Sequence, residues 1–585
     1  MVQQLSWKVG GQQGEGIEST GEIFSTALNR LGYYLYGYRH FSSRIKGGHT
    51  NNKIRVSTTQ VRSVSDDLDI LVAFDQETID VNAHELRAGG VVIADAKFNP
   101  SLPETCTTAT LYAVPFTEIA TELGTSLMKN MVAVGASSAV LHIDTEVFEE
   151  VVLEIFGKKG QKVVQKNMEA IKKGADYIRE QLGEQLETMK LDPADGKKRM
   201  FMIGNDAIAL GALAGGARFM PAYPITPASE IMEYLIKKLP QFGGTVIQTE
   251  DEIAACTMAI GANYAGVRAL TASAGPGLSL MMESIGLAGI TEQPVVIIDT
   301  QRGGPSTGLP TKQEQSDLMA MIYGTHGEIP KIVMAPSTVE EAFYDTIEAF
   351  NLAEEYQCPV IMLTDLQLSL GKQSVEPLDY NRVEIRRGKL QQGELEELEE
   401  KQYYKRYRVT EDGVSPRVIP GMKHGIHHVT GVEHDETGKP SESPVNRDDQ
   451  MNKRLRKTKG IRFNTPIHVH SHEKESDILF VGFNSTRGVI EEAMGRLEQD
   501  GIKVNHAHIR LIHPFPADEL LPYVQGAKKV VVVENNATGQ LANILKMNIA
   551  SHDKIQSVLK YDGNPFLPQE VYAKSKEMFV LNGNV

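Results

Sequence analysis

PAYPITPASE (221–230), VIQTEDEIAACTMAIGANYAG (246–266), RALTASAGPGLSLMMESIG (268–286) and PVVIIDTQRGGPSTG (294–308) follow one another along the chain. In the first, a Tyr-Pro turn delivers Thr226 to the mouth of a helix, where free backbone N–H groups favour an anionic ligand. The second reads as a strand ending in acid and then an alanine-rich helix. The third is a strand, a Gly-Pro-Gly turn and a helix, and the fourth an apolar strand running into a glycine-rich loop that carries Arg302. Three strand-loop-helix units in succession imply a parallel sheet, and such sheets bind ligands beyond the carboxyl ends of their strands. Thr226, Glu252 and Arg302 all fall at that edge.

A chain of 585 residues is long enough for about three cores of substantial interior. With 41% hydrophobic residues and no apolar run long enough to cross a bilayer, the expected class is soluble, globular and cytoplasmic, without a membrane. The start, MVQQLSWKVGGQQGEG, has neither the basic region nor the apolar core of a secretory signal. A formal net charge of -15 argues against a nucleic-acid partner bound through phosphate neutralisation. Cys106, Cys256 and Cys358 stand far apart, so neither an iron-sulfur cluster nor a zinc knuckle can be assembled from this chain alone. A cluster, if the chemistry needs one, belongs to a partner.

Near the start, LSWKV (5–9) reads as a strand, followed by a glycine-rich turn with Gly11, Gly14 and Gly16 and an amphipathic helix. A dinucleotide fingerprint would require Gly-x-Gly-x-x-Gly and an acid closing the next strand. Here the spacing is inverted and the next strand, YYLYGYRH, ends in Arg39 and His40, so the NAD reading is poorly matched. LDILVAFDQETID and GGVVIADAKF add two apolar strands, with the sheet expected to close near VLEIFGKKG (152–160). A helix and charged linker then lead to a boundary at 198, a central domain over 199–371, a charged and turn-rich excursion over 372–474, and a final domain over 475–585. Within the excursion His424, His427, His428 and His434 cluster and His468, His470 and His472 alternate. No carboxylate or thiolate pattern joins them, and solvated loop histidines are the competing reading, so no metal site is assigned.

YPITP, the glutamate nine residues ahead of a glycine in EIAACTMAIG, TASAGPG and QRGGPSTG resemble, in order and spacing, the alpha subunit of 2-oxoacid:ferredoxin oxidoreductases, members of the thiamine-dependent superfamily. GGQQGEGI with SSRIKGGHTNNKIRVS behind it resembles the gamma domain of the same enzymes, fused here ahead of alpha. Gln13 and Glu15 replace glycines of the usual pattern. The resemblance implies an α/β multidomain chain: a gamma-type domain (1–198, with its linker helix), a thiamine pyrimidine-binding-type domain (199–371), the excursion, and a transketolase C-terminal-like domain (475–585). It implies thiamine diphosphate shared with a beta subunit that carries Mg2+ and the iron-sulfur cluster, CoA as cosubstrate, ferredoxin as acceptor and an (alpha-beta)2 heterotetramer. The Gly-Asp-Gly segment that such enzymes use to hold the metal and diphosphate is absent from this sequence.

Decarboxylating a 2-oxoacid needs an electron sink that side chains lack and thiamine diphosphate supplies. The resemblance makes Glu252 the acid beside the aminopyrimidine, lined by Tyr223, Pro224, Ile225, Gly275, Pro276 and Gly277. The bland alternative is that Glu250, Asp251 and Glu252 complement a helix N-terminus. Arg302 has the planar fork that grips a carboxylate, and the resemblance sets it, with Thr226, on the 2-oxo carboxylate; the alternative is a surface loop arginine. A dicarboxylic substrate such as 2-oxoglutarate needs a further cation. Arg44, Lys46 and His49 of the first domain are the reserve, or else an ordinary basic surface loop. The gamma-alpha fusion resembles the 2-oxoglutarate-type members, which form succinyl-CoA and CO2; pyruvate or a broad range is the alternative. A non-redox thiamine enzyme would not need the first domain.

Overall fold

Trp7 carries the middle of the first strand, β1 (Gln4–Gln12), and has no exposed surface. Its ring stacks on Phe24 of α1 (Ile17–Arg30) at 4.4 Å, and its indole N–H donates to Ser137 Oγ of a later helix at 3.0 Å. Around this anchor the computed structural model, which describes residues 2–42, 48–181, 189–399, 401–471 and 473–581, builds an eight-stranded sheet. Strands β2 (Tyr34–His40), β3 (His49–Ser57), β4 (Leu68–Ala73), β5 (Leu86–Asp95) and β6 (Thr110–Val114) line up as β6-β5-β4-β1-β3-β2. The first four of these are parallel, and β3 and β2 turn antiparallel. The far edge is completed by Gln373–Val375 and β7 (Met200–Met202), two strands that the sequence assigns to other regions.

Residues 152–160, expected to close this sheet, are instead the end of a helix, α2 (Glu149–Phe156), and a short 3-10 turn. Phe148, Val151 and Val152 are buried while Glu149, Glu150 and Glu154 are exposed, which is helical spacing rather than strand alternation. In the glycine-rich loop Gly14 and Gly16 take positive φ, and Glu15 is tied to Lys129 Nζ at 2.7 Å and to the backbone N–H of Gln12 at 3.0 Å.

By contacts the chain divides into Met1–Met202 with Leu370–Pro377 and Leu567–Gln569, and Ile203–Ser369 with Leu378–Phe566 and Glu570–Val585. The second body holds the units read first in the sequence. Parallel strands β8 (Phe219–Ala222) and β9 (Thr245–Gln248) pair, and a bridge from Phe219 to Ala269 leads to β10 (Leu270–Ser273). β11 (Val295–Gln301), β13 (Pro359–Asp365) and β12 (Ile332–Met334) follow in that order, all parallel. Such strands are covered on both faces and read as apolar runs, as VVIID and PVIML do. Helices α3 (Ser229–Lys238), α4 (Glu252–Tyr264) and α5 (Gly275–Ile290) are the crossovers. In the C-terminal region Val504–Ile509 joins a second, mostly parallel sheet with Ser476–Gly482, Ala527–Glu534 and Ile555–Leu559. The next residues, Leu511–His513, pair instead with β12, so one continuous stretch enters both sheets.

Among the described residues the excursion has few regular elements besides the helix Pro444–Gly460, and charged side chains fasten it. Glu292, fully buried, pairs with Lys453 Nζ at 2.6 Å and Lys457 Nζ at 2.5 Å, and its carbonyl accepts from Arg406 at 2.7 Å. Glu354, also buried, receives Arg268, Arg387 and Arg417 at 2.6 to 3.0 Å. Of the excursion's histidines, His434 packs against Tyr407 at 4.1 Å and His428 against Tyr403 at 4.6 Å, whereas His470 is exposed; His472 lies outside the described residues. Among the described residues no helix is long and apolar enough to cross a membrane.

Burial pushes the Glu292 carboxyl up, but Lys453, Lys457 and Arg406 outweigh it and hold the group below the usual carboxylate range. A depressed acid contributes stability above its unfolded pKa of about 4.5, and that contribution fades as pH falls below it. Glu292→Gln leaves two buried ammonium groups without a counter-charge and is expected to cost about 3 to 5 kcal/mol at pH 7. Urea unfolding checks this, and an unchanged midpoint would contradict it.

Candidate active site

Three consecutive acids open α4, and the structure gives each a different task. Glu250 is exposed. Asp251 is the N-cap, its Oδ1 accepting from the Ala254 N–H at 2.8 Å, so the helix-capping role falls to it. Glu252 turns inward and is 7% exposed, yet no hydrogen bond or ion pair from the described residues reaches its carboxylate. That carboxylate lies beside the Gly-Pro-Gly turn. A Cβ on Gly277 would stand 2.8 Å from both Cγ and Oε1 of Glu252 and collide with Ser273 Oγ. Glycine is therefore required here by contact, since the backbone of α5 approaches the acid with nothing between them.

The same turn meets a second acid. A Cβ on Gly275 would lie 2.8 Å from both carboxylate oxygens of Asp317. Asp317 follows the loop that starts at Arg302, whose Nη1 donates to the Thr226 carbonyl at 2.5 Å and Nη2 to Thr307 O at 3.4 Å. The Arg302 Nε is buried without a partner among the described residues, and the residue is 7% exposed. The loop folds back on itself, with Gly303 N–H donating to Lys312 O at 3.1 Å and Leu309 N–H to Gly303 O at 2.8 Å. Asn205 Nδ2 donates to Pro227 O at 2.6 Å and fixes the Tyr223–Pro227 turn from behind; Tyr223 is 39% exposed and Pro224, Ile225 and Thr226 are half-buried.

Electrostatically the edge is acid-rich. Burial, then repulsion from Glu314, pushes Asp317 up to about 6 against the pull of Arg302. Asp299, at the end of β11, is wholly buried with neither oxygen hydrogen-bonded within the described residues, and burial followed by Asp317 raises it well above the ordinary carboxylate range. Among the described residues no three His, Cys, Asp or Glu side chains come close enough together to hold a metal ion. Thus Thr226, Glu252, Gly275–Gly277 and Arg302 follow the carboxyl ends of the parallel strands β8, β9, β10 and β11, the two pairs of strands being joined by the Phe219–Ala269 bridge. His49 belongs to the first body, its ring against Gly10 with Nε2 3.2 Å from Asn82 Nδ2. Arg44 and Lys46 lie outside the described residues.

Residues 6–177 match the family described as pyruvate ferredoxin/flavodoxin oxidoreductase, 210–453 its thiamine diphosphate-binding part, and 476–571 pyruvate:ferredoxin oxidoreductase core domain II. The 2-oxoacid:ferredoxin oxidoreductase subunit alpha of Sulfolobus sp is 35% identical, over 100% of this chain and 99% of that one. This chain belongs to the 2-oxoacid:ferredoxin oxidoreductase alpha-subunit family. The 2-oxoglutarate oxidoreductase subunit KorA of Mycobacterium tuberculosis is 32% identical, over 96% of this chain and 89% of that one. A solved structure, the 2-oxoglutarate:ferredoxin oxidoreductase from Magnetococcus marinus with 2-oxoglutarate, coenzyme A and succinyl-CoA bound, superposes with a TM-score of 0.92 at 36% identity, covering 99% and 100% of the two chains. The α/β, multidomain fold class stands as read from the sequence, and the chain is a subunit of an oxidoreductase.

In this alpha subunit the sequence reading passed over Asn205, Asp299 and Asp317. The signal for the last two was present: an aspartate near the end of an apolar strand, and another fifteen residues past Arg302 in a loop rich in glutamine. Because Asp317 binds its proton more tightly folded than unfolded, it lowers stability as pH rises from about 4 to about 6. Asp317→Asn should abolish that fall and leave the protein more stable at pH 7.5 by about 3 kcal/mol. Urea midpoints at pH 4.5 and 7.5 test the sign, and an unchanged difference between them would refute it.

Proposed function

We propose that this alpha subunit serves a thiamine diphosphate-dependent enzyme that converts 2-oxoglutarate, CoA and oxidised ferredoxin into succinyl-CoA, CO2 and reduced ferredoxin. The observation that carries the reading is the carboxylate of Glu252, a residue only 7% exposed, without a partner among the described residues and set against a turn that only glycine can make. A carboxylate this enclosed, with no donor from the described residues, is a ready acceptor for a hydrogen bond from a ligand. A flat heteroaromatic ring with a basic nitrogen and an amino group fits it, and the glycines leave room for the ring to approach. When bound, thiamine diphosphate supplies the electron sink for decarboxylation.

This chain's own residues then bind, orient and shield. Glu252 holds or releases the proton at the aminopyrimidine nitrogen, while Tyr223, Pro224, Ile225 and Gly275, Pro276 and Gly277 form the walls. Arg302 and the Thr226 hydroxyl take the 2-oxo carboxylate, with Arg302 pre-oriented by its bond to the Thr226 carbonyl so that little is lost in ordering it. The diphosphate, Mg2+ and an iron-sulfur cluster fall to a beta subunit in an (alpha-beta)2 assembly. Two features support that division: the sequence has no Gly-Asp-Gly, and of its three cysteines Cys256 and Cys358 are buried, with burial pushing both thiols up to about 12.

For the substrate, support comes from the 2-oxoglutarate named for the M. tuberculosis and M. marinus relatives. The test uses the purified two-subunit complex with CoA and ferredoxin and a panel of 2-oxoacids. We expect kcat/KM for 2-oxoglutarate to exceed that for pyruvate at least about tenfold, a difference of about 1.4 kcal/mol in transition-state binding. Equal or better turnover of pyruvate would remove the substrate assignment while leaving the reaction class intact.

A further inference from the structure

The loop that begins at Arg302 returns through residues 311–319, and this return is hydrogen-bonded almost residue by residue to the C-terminal domain. Gln315, with no exposed surface, is the centre of it. Its backbone N–H donates to Asn535 O at 2.7 Å, and its side-chain Oε1 accepts from the Asn535 N–H at 2.9 Å. Its carbonyl accepts from Asn536 Nδ2 at 3.1 Å. Its Nε2 donates to Asp365 Oδ2 at 2.8 Å and to Phe483 O at 3.1 Å. Every polar group of the residue is thereby occupied.

Gln540 repeats the arrangement one turn of chain later, Nε2 donating to Ser316 O at 2.7 Å and Oε1 accepting from Met319 N–H at 2.9 Å. Gln313 adds its own N–H to Gly563 O at 3.1 Å. Between these fastenings sits Asp317, whose carboxylate covers Gly275, and its N–H is held by Gln301 Oε1 at 3.1 Å.

The surface that receives the loop is itself stiff. Glu534 accepts from the N–H groups of Leu541 and Ala542 at 2.8 and 3.1 Å, Asn536 Nδ2 bonds Glu534 Oε2 at 2.7 Å, and Asn536 Oδ1 takes the Gly539 N–H at 2.8 Å. The Glu534-Asn535-Asn536 strand end is thus a cap and a template at once. Apolar contact would allow the two domains to slide by tenths of an ångström. Paired donors and acceptors on one backbone do not, because hydrogen-bond strength falls steeply with distance and angle.

We propose that the C-terminal domain positions the Arg302 loop for substrate, with Gln315 and Gln540 as positioning residues that touch neither substrate nor cofactor. This rests on the reading of Arg302 as the carboxylate-binding group. A displacement of about 1 Å in such a group is enough to lose on the order of a hundredfold in rate, so a rigid dock is a functional part of the site.

The test uses the holo two-subunit complex carrying Gln540→Ala, Gln315→Leu, or, as a control, Val533→Ala in the core of the same domain. In Gln540→Ala we expect KM for the 2-oxoacid to rise at least about tenfold with kcat within about threefold and KM for CoA unchanged. Amide hydrogen exchange over residues 303–319 should quicken at least about tenfold, a loss near 1.4 kcal/mol in local protection, while α4 and α5 stay protected. Val533→Ala should lower stability without moving that KM. Unchanged exchange of the loop in Gln540→Ala, or a rise in both KM values together as a general loosening would give, overturns the proposal. If Gln315→Leu does not assemble, Gln540→Ala decides alone. A wild-type complex inactive on every 2-oxoacid would sink the functional reading instead, and the exchange of the loop would still decide the positioning.

Discussion

The close approach of the Glu252 carboxylate to the backbone of Gly277 is the contact around which the second body is arranged. It requires two helix starts to converge on one point, which follows when consecutive strands of a parallel sheet each hand over to a helix at the same edge. It also requires that no side chain intervene, hence the Gly-Pro-Gly turn, and that another residue cap the helix, hence Asp251. Arg302 and Asp317 then close in from the neighbouring strand and its loop. The result is a mostly buried edge with more acid than base, raised Asp299 and Asp317 among them. Such an edge is electrostatically unfavourable when empty of ligand cations and donors, as active sites commonly are.

The remainder of the second body holds this edge in place with unusually polar means. The excursion over 372–474 has little regular structure, and its buried lysines and arginines hold it to Glu292 and Glu354. Buried ion pairs seldom add net stability over apolar packing, so their value lies in admitting one arrangement of the segment and penalising others. The stretch Val504–His513 acts similarly through backbone pairing, since its two halves belong to different sheets.

Much of this was legible in the sequence because the informative signals are local. Strand-loop-helix succession, the Tyr-Pro and Gly-Pro-Gly turns and the loop arginine are read within 90 residues, and they fix the parallel sheet and the edge where Thr226, Glu252 and Arg302 meet. What escaped depends on partners far along the chain. Met200–Met202 and Gln373–Val375 look like parts of their neighbouring segments until they pair with each other and with β2. VLEIFGKKG is apolar enough for a strand, and the exposure of Leu153, Glu154 and Ile155 together, after buried Val151 and Val152, is what shows the helical period. Histidines in a turn-rich segment suggested solvent, whereas tyrosine rings lie against His428 and His434. Gln315 and Asp317 lie in a loop whose significance comes from residues more than 200 positions later.

The account turns on Glu252 acting as the proton-handling acid rather than as a helix-complementing charge. The direct measurement is turnover of the reconstituted two-subunit complex with Glu252→Gln, which keeps shape and burial and removes the titratable group. The account predicts a folded complex that retains its iron-sulfur absorption and thiamine diphosphate content but loses at least about a hundredfold in kcat, the range expected for removal of a general acid or base. Turnover within a few fold of wild type would contradict it.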